Sequence, residues 1–159
     1  MGMILKQQFN NMPQSLANVI VHVVFTTKYR QAIISDEIRP ELHAYAIEVL
    51  SNLGSYTLEI YANPDHIHIL CTLPRTITMA ELVSKIKTST SKWAKSKGIP
   101  EFYWQDGYGI FSVSSSKVEV VARYIRNQPQ HHKEVECKEE FIFFLNENGI
   151  EYDERYVCD

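Results

Sequence analysis

The chain has 159 residues, 45% hydrophobic and 22% charged, enough for one compact domain with its own core. No apolar run approaches the roughly 18–20 residues of a membrane span, and the start lacks the basic-then-apolar plan of a secretory signal. Cys71, Cys137 and Cys158 are odd in number and lack CxxC spacing, which sets aside a disulfide framework and a zinc knuckle and makes the cytoplasm the expected compartment.

The net charge of −3 conceals an asymmetry. Residues 134–159 carry a balance of −7 and residues 1–133 a balance of +4. Such a body attracts a polyanion locally without binding it strongly by charge alone.

Residues 1–12 fit no element and read as an N-terminal extension, with Met12 an alternative start; residues 13–159 read as one domain. The β-branched, apolar run over 18–29 predicts a buried strand. Arg39-Pro40 then opens a helix, with Pro40 suited to its first position, and Gly54 ends it. A second strand is expected over 55–62. A tight turn at Asn63-Pro64 joins it to NPDHIHIL as a hairpin. Thr78 and Glu81 form a capping-box pattern for a helix running to about Lys97, stopped by Gly98 and Pro100. An aromatic stretch then leads into a short strand near 109–114. Ser116 and Glu119 make a second capping-box pattern, opening a helix with Val118, Val121, Ala122 and Ile125 inward. Pro129 kinks or ends it, and a last amphipathic helix covers about 138–147. The order β-α-β-β-α-β-α-α predicts an α+β fold, a mainly antiparallel sheet with helices packed on it.

Three clusters carry potential chemistry. On a strand, His66 and His68 project to one face with Cα atoms roughly 6.5–7 Å apart, while Ile67, Ile69, Cys71 and Leu73 face the other way. Both rings are therefore able to converge on one ion or phosphate; the bland alternative is a hydrogen-bonded pair. Two histidines are too few for a metal site, so another ligand has to come from elsewhere. Tyr124 and Gln128, four apart on the third predicted helix, are neighbours, with His131 following. A Gln oxygen with two imidazoles suits manganese or zinc by softness, and cellular abundance leaves magnesium open. A tyrosine beside such a metal has a use. The cation neutralises charge on a phosphodiester and orients it for in-line attack, and the product is a covalent phosphotyrosine. The third cluster is basic: Lys85, Lys87, Lys92, Lys95 and Lys97 with Trp93 among them, and Lys28 and Arg30 after the first strand. It is either a solvated face or a phosphate-backbone contact.

Taken together, VHVVFTTKYR, NPDHIHIL, WQDGYGIFSVS and YIRNQPQHH resemble the single-tyrosine HUH transposases of single-strand insertion sequences. His66-Ile67-His68 matches the His-hydrophobic-His signature, and the likeness runs from about Pro13 to Tyr156. The resemblance implies an RRM-like (ferredoxin-like) core and an obligate homodimer. It also implies cutting and rejoining of hairpin-bearing single-stranded DNA with Mg²⁺ or Mn²⁺. On matching positions it makes Tyr124 the nucleophile and His66, His68 and Gln128 the metal ligands. Lys28, Arg30, Lys85 and Lys92 are the expected DNA contacts. His22, His131 and His132 fall in matching blocks without an assigned role. The alternatives are a hairpin-DNA-binding module that has lost catalysis, and a structural zinc site using His66, His68 and Cys71. The latter is disfavoured because Cys71 falls on the opposite strand face.

Overall fold

In the computed structural model, residues 15–131, 137–155 and 157 are described; the N-terminal extension expected over 1–12 lies outside them. The chain runs β1 (Ile20–Thr26), α1 (Arg39–Asn52), β2 (Thr57–Ala62), β3 (His66–Thr72), α2 (Met79–Ser96), β4 (Gly109–Ser112), α3 (Val118–Arg126), α4 (Gln128–His131) and α5 (Cys137–Glu147). The four strands form one antiparallel sheet in the order β2-β3-β1-β4. The predicted α+β class and element order are therefore found, and the β1-α1-β2-β3-α2-β4 portion has the ferredoxin-like topology.

Alternation along the central strands decides what each face does. Val21, Val23 and Phe25 of β1 point with Ile67, Ile69 and Cys71 of β3 into a core closed by Leu42 and Leu50 of α1 and Leu82 and Ile86 of α2. The opposite residues of the same strands, His22, Val24, His66, His68 and Leu70, are equally buried, because α3 and α5 pack on that face. In register, Thr26 stands opposite His66 and Val24 opposite His68, so the histidines occupy the middle of a two-sided sheet. Cys71 lies on the α1/α2 side, as expected from strand geometry.

Local chemistry accounts for the boundaries. Thr78 and Glu81 do form the reciprocal capping box at the start of α2. Gly54, at φ +83°, supplies the left-handed residue that ends α1. The second expected capping box does not form. A 3-10 turn over Ser115–Lys117 precedes α3, whose N-cap is Lys117 with helical backbone angles and no side-chain cap. An N-capping side chain works from an extended residue, and here the extended residue is Ser114, one turn earlier.

The predicted continuous helix over Tyr124 and Gln128 is also broken. Pro129 lacks an N–H, and its ring conflicts with the carbonyl four residues back, so α3 stops at Arg126 and Gln128 begins the short α4. Helix α5 is seated through Gly109: a Cβ there would meet the Phe141 ring at 2.6 and 2.8 Å. Only glycine lets that ring lie against β4. None of the helices among the described residues is long and apolar enough to cross a membrane.

Candidate metal and nucleophile site

Strand β3 places His66 and His68 side by side, their ring centroids 5.1 Å apart and both rings fully buried. The hairpin turn that precedes them supplies Asp65, whose carboxylate oxygen is 2.7 Å from His66 Nδ1. It also supplies buried Asn63, whose Nδ2 is 2.9 Å from His66 Nε2 and donates to Gln128 Oε1 at 2.9 Å. The other side of His68 is fixed by β1, where His22 Nε2 lies 2.9 Å from His68 Nδ1. Both Nε2 atoms are thereby turned toward α5.

There they meet a residue absent from the sequence-based set, Glu140. One carboxylate oxygen is 3.1 Å from His66 Nε2, the other 3.2 Å from His68 Nε2. Gln128 Nε2 donates to that second oxygen at 2.9 Å. His66, His68 and Glu140 each offer a ligand atom within 4.8 Å of the others, and all three are buried.

The electrostatics follow from this enclosure. Burial pushes the His66 imidazole down, but hydrogen bonds and charge from Asp65 and Glu140 together outweigh it and raise its pKa to about 9. Burial pushes Glu140 up, and its bonds and charge interactions with His66 and His68 outweigh that, lowering it to about 2. His22 moves well down through burial and the neighbouring His68 charge. In this state the carboxylate bridges two imidazoles as an internal counterion.

The donor set also fits a divalent ion. Ligand bonds of about 2.0–2.2 Å place adjacent ligand atoms about 3.0–3.5 Å apart in octahedral or tetrahedral geometry, and the two carboxylate-to-imidazole separations fall in that range. Two imidazoles and a carboxylate are donors that Mn²⁺, Fe²⁺ and Zn²⁺ accept. Gln128 is in place, but its oxygen faces Asn63, and rotation of its terminal amide is needed to turn that oxygen toward the histidines.

Tyr124 reaches the same site within one chain. Its ring centroid lies 5.7 Å from that of His68 and 5.4 Å from that of Phe144 on α5. Its polar end is buried. The structure thus unites Tyr124, His66, His68 and Gln128. Lys85 and Lys92 are exposed on α2, which packs on the other side of the sheet from the histidines, and Lys28 and Arg30 lie in a 3-10 turn after β1. The His131 side chain and His132 lie outside the described residues.

Glu140 was hidden by its company. It sits in the strongly acidic segment 134–159, yet Glu140, Phe141, Phe144 and Leu145 share one helical face at spacings of one, four and five. An acid on the apolar face of an amphipathic helix is the signal that marks it.

Two solved structures of similar shape agree with the fold. A putative transposase from Deinococcus radiodurans R1 has a TM-score of 0.60 at 19% identity, covering 76% of this chain and 98% of that one. A REP-associated tyrosine transposase bound to a REP hairpin has a TM-score of 0.58 at 15% identity, covering 80% and 76%. The search of curated proteins gives no match. Residues 15–128, which span the sheet, the histidine pair, Tyr124 and Gln128, match the model of the family described as IS200-like transposase, and the chain belongs to that family of transposases.

Proposed function

We propose that this transposase cuts and rejoins hairpin-bearing single-stranded DNA through a covalent phosphotyrosine at Tyr124, with His66, His68, Glu140 and Gln128 holding a divalent metal, Mg²⁺ or Mn²⁺. The observation that carries the reading is the convergence, inside one chain, of a phenol with two imidazoles and a carboxylate at metal-ligand spacing. A protein that only binds hairpins has no use for such a set.

When bound, the ion supplies charge neutralisation and orientation for the phosphodiester. The remaining work falls to the chain. Tyr124 is held by packing against His68 and Phe144, which limits its rotamers and offers the phenol oxygen as an in-line nucleophile. As its O–P bond forms, the P–O bond to the departing deoxyribose breaks. The phenolic proton is released, and the departing oxygen takes one up. The reverse attack by a strand-end hydroxyl reseals DNA without ATP. Asp65 and His22 orient the two imidazoles by bonding their Nδ1 atoms, the role of second partners around metal-bound histidine. Because the groups assemble in cis, the chemistry does not require exchange of helices between copies; the homodimer implied by the resemblance is tested by sedimentation.

The deciding experiment is a denaturing gel for a protein–oligonucleotide adduct on a hairpin-bearing single strand. Wild type is expected to form the adduct in Mn²⁺, and Tyr124→Phe to form none while still binding the strand. An adduct retained by Tyr124→Phe removes the nucleophile assignment.

A further inference from the structure

A cavity of about 340 Å³ opens between α2 and the loop 103–108, lined by Ser84, Thr88 and Ser91 of α2 and by Tyr103, Asp106 and Tyr108 of the loop. Its volume lies in the range of small-molecule sites, about 300–1,000 Å³. We propose that it receives one unpaired nucleobase of the DNA strand, stacked against Tyr103 and read on its edge by the hydroxyls and Asp106. This rests on the reading of the protein as a single-strand transferase and names where that strand is recognised.

The lining argues for a base rather than an anion. Lys87 is the cation nearest the floor, but its ammonium donates to the backbone carbonyls of Gln105, Asp106 and Gly107 at 2.8, 3.3 and 2.6 Å. Those three bonds use its three donors. Lys87 therefore pins the loop and keeps the cavity formed, leaving no donor for a phosphate. What remains of the lining is hydroxyl, aromatic, amide and small aliphatic side chains with one acidic residue, Asp106, a set suited to a flat heterocycle with donors on its edge. The acidic Asp106 among the lining residues disfavours a phosphate there.

The rim has the opposite character. Lys85, Thr88, Lys92 and Lys95 follow one another at helical spacings of three and four, so the lysines border the cavity along the Thr88 side, and all four are exposed. Lys95 Nζ stands 3.9 Å from the Tyr103 ring centroid. On the loop side, the Lys28 N–H donates to the Tyr103 carbonyl at 2.8 Å, which sets the Lys28–Arg30 turn beside it. That turn places Tyr29 and Arg30 at φ 57° and 53° and leaves Tyr29 78% exposed. Cations for the phosphates around aromatic faces for the bases is the arrangement that tracks a single strand.

The cavity also connects to the site. Gln105, on its floor, accepts the Thr26 N–H at 2.6 Å, and Thr26 stands opposite His66 in the ladder. Cavity and histidine pair therefore share one end of β1.

The test uses fluorescence anisotropy with a labelled hairpin oligonucleotide carrying an unpaired flank, and with the same flank annealed to its complement. Tyr103→Ala removes the stacking face, and Ser84→Trp fills the cavity from the other element. Base–aromatic stacking contributes about 1–3 kcal/mol, so each variant is expected to weaken single-strand binding about fivefold or more and leave duplex binding within about twofold. An abasic residue walked along the flank is expected to weaken wild type at one position and to leave Tyr103→Ala insensitive there. Circular dichroism melts separate loss of a contact from loss of fold. Unchanged single-strand affinity in both variants, or equal losses on duplex, overturns the cavity assignment. Wild type forming the Tyr124 adduct in the same preparation shows that such a failure belongs to the cavity and not to strand transfer.

Discussion

Gly109→Ala tests how the sheet holds α5 over the site. The added methyl would sit 2.6 and 2.8 Å from two carbons of Phe141, where non-bonded carbons rest at about 3.5–4.0 Å. The ring has to retreat by about 1 Å. Phe141 is only 6% exposed and packs with Val24, Phe111 and Leu145, and overpacking a filled core costs about 1–3 kcal/mol. For a chain of this size that corresponds to a fall in Tm of about 2–12 °C. Because Glu140 precedes Phe141, retreat of the ring also draws the carboxylate away from His66 and His68, so Mn²⁺ binding should weaken in the same variant. Differential scanning calorimetry and Mn²⁺ titration measure the two effects. Phe141→Leu in the Gly109→Ala background removes the clashing ring carbons and should recover part of both, a coupling that a double-mutant cycle reads directly. Unchanged Tm and unchanged Mn²⁺ affinity in Gly109→Ala would refute the claim that this contact seats the helix.

Glu140→Ala, followed by isothermal titration with Mn²⁺, should lose at least about tenfold in affinity, since even partners that only orient metal ligands cost about 10–100-fold; equal affinity would leave the carboxylate as a counterion only. His43 gives a pH prediction away from the site. Burial and then the Arg39 charge lower its pKa to about 4, and its Nε2 accepts the Ala62 N–H at 2.8 Å, so the fold holds it neutral. Between pH 6.5 and 4 the unfolded chain binds a proton that the folded chain refuses, so this contribution is complete above 6.5 and is lost as pH falls. Allowing for partial exposure it amounts to about 1–2 kcal/mol. Urea melts at pH 7 and 5 should show wild type losing that much more than His43→Gln, and equal losses would contradict it.

The parts of the molecule governed by short-range rules were legible in the sequence. Strand alternation placed His66 and His68 together and Cys71 away from them. The Thr78–Glu81 pair marked the start of α2, where Thr78 is extended and both side chains reach back. The same pattern failed at Ser116 because the chain was already turning at Ser115, and a capping motif needs its first residue outside the helix. Gln128 does lie beside Glu140 and the histidines, but on α4 and not on the helix of Tyr124, since α3 stops at Arg126 ahead of Pro129. Glu140 is 72 residues beyond His68 in sequence, and its contact depends on the fit of Phe141 over Gly109, a tertiary fact with no local spacing to announce it.

That fit has a consequence for the resting protein. With His66 and His68 fully buried and Glu140 4% exposed, the seat of Phe141 over Gly109 sets whether the carboxylate stays on the two imidazoles. The joining of residues 72 positions apart in the chain comes down to one aromatic ring lying where a methyl is missing.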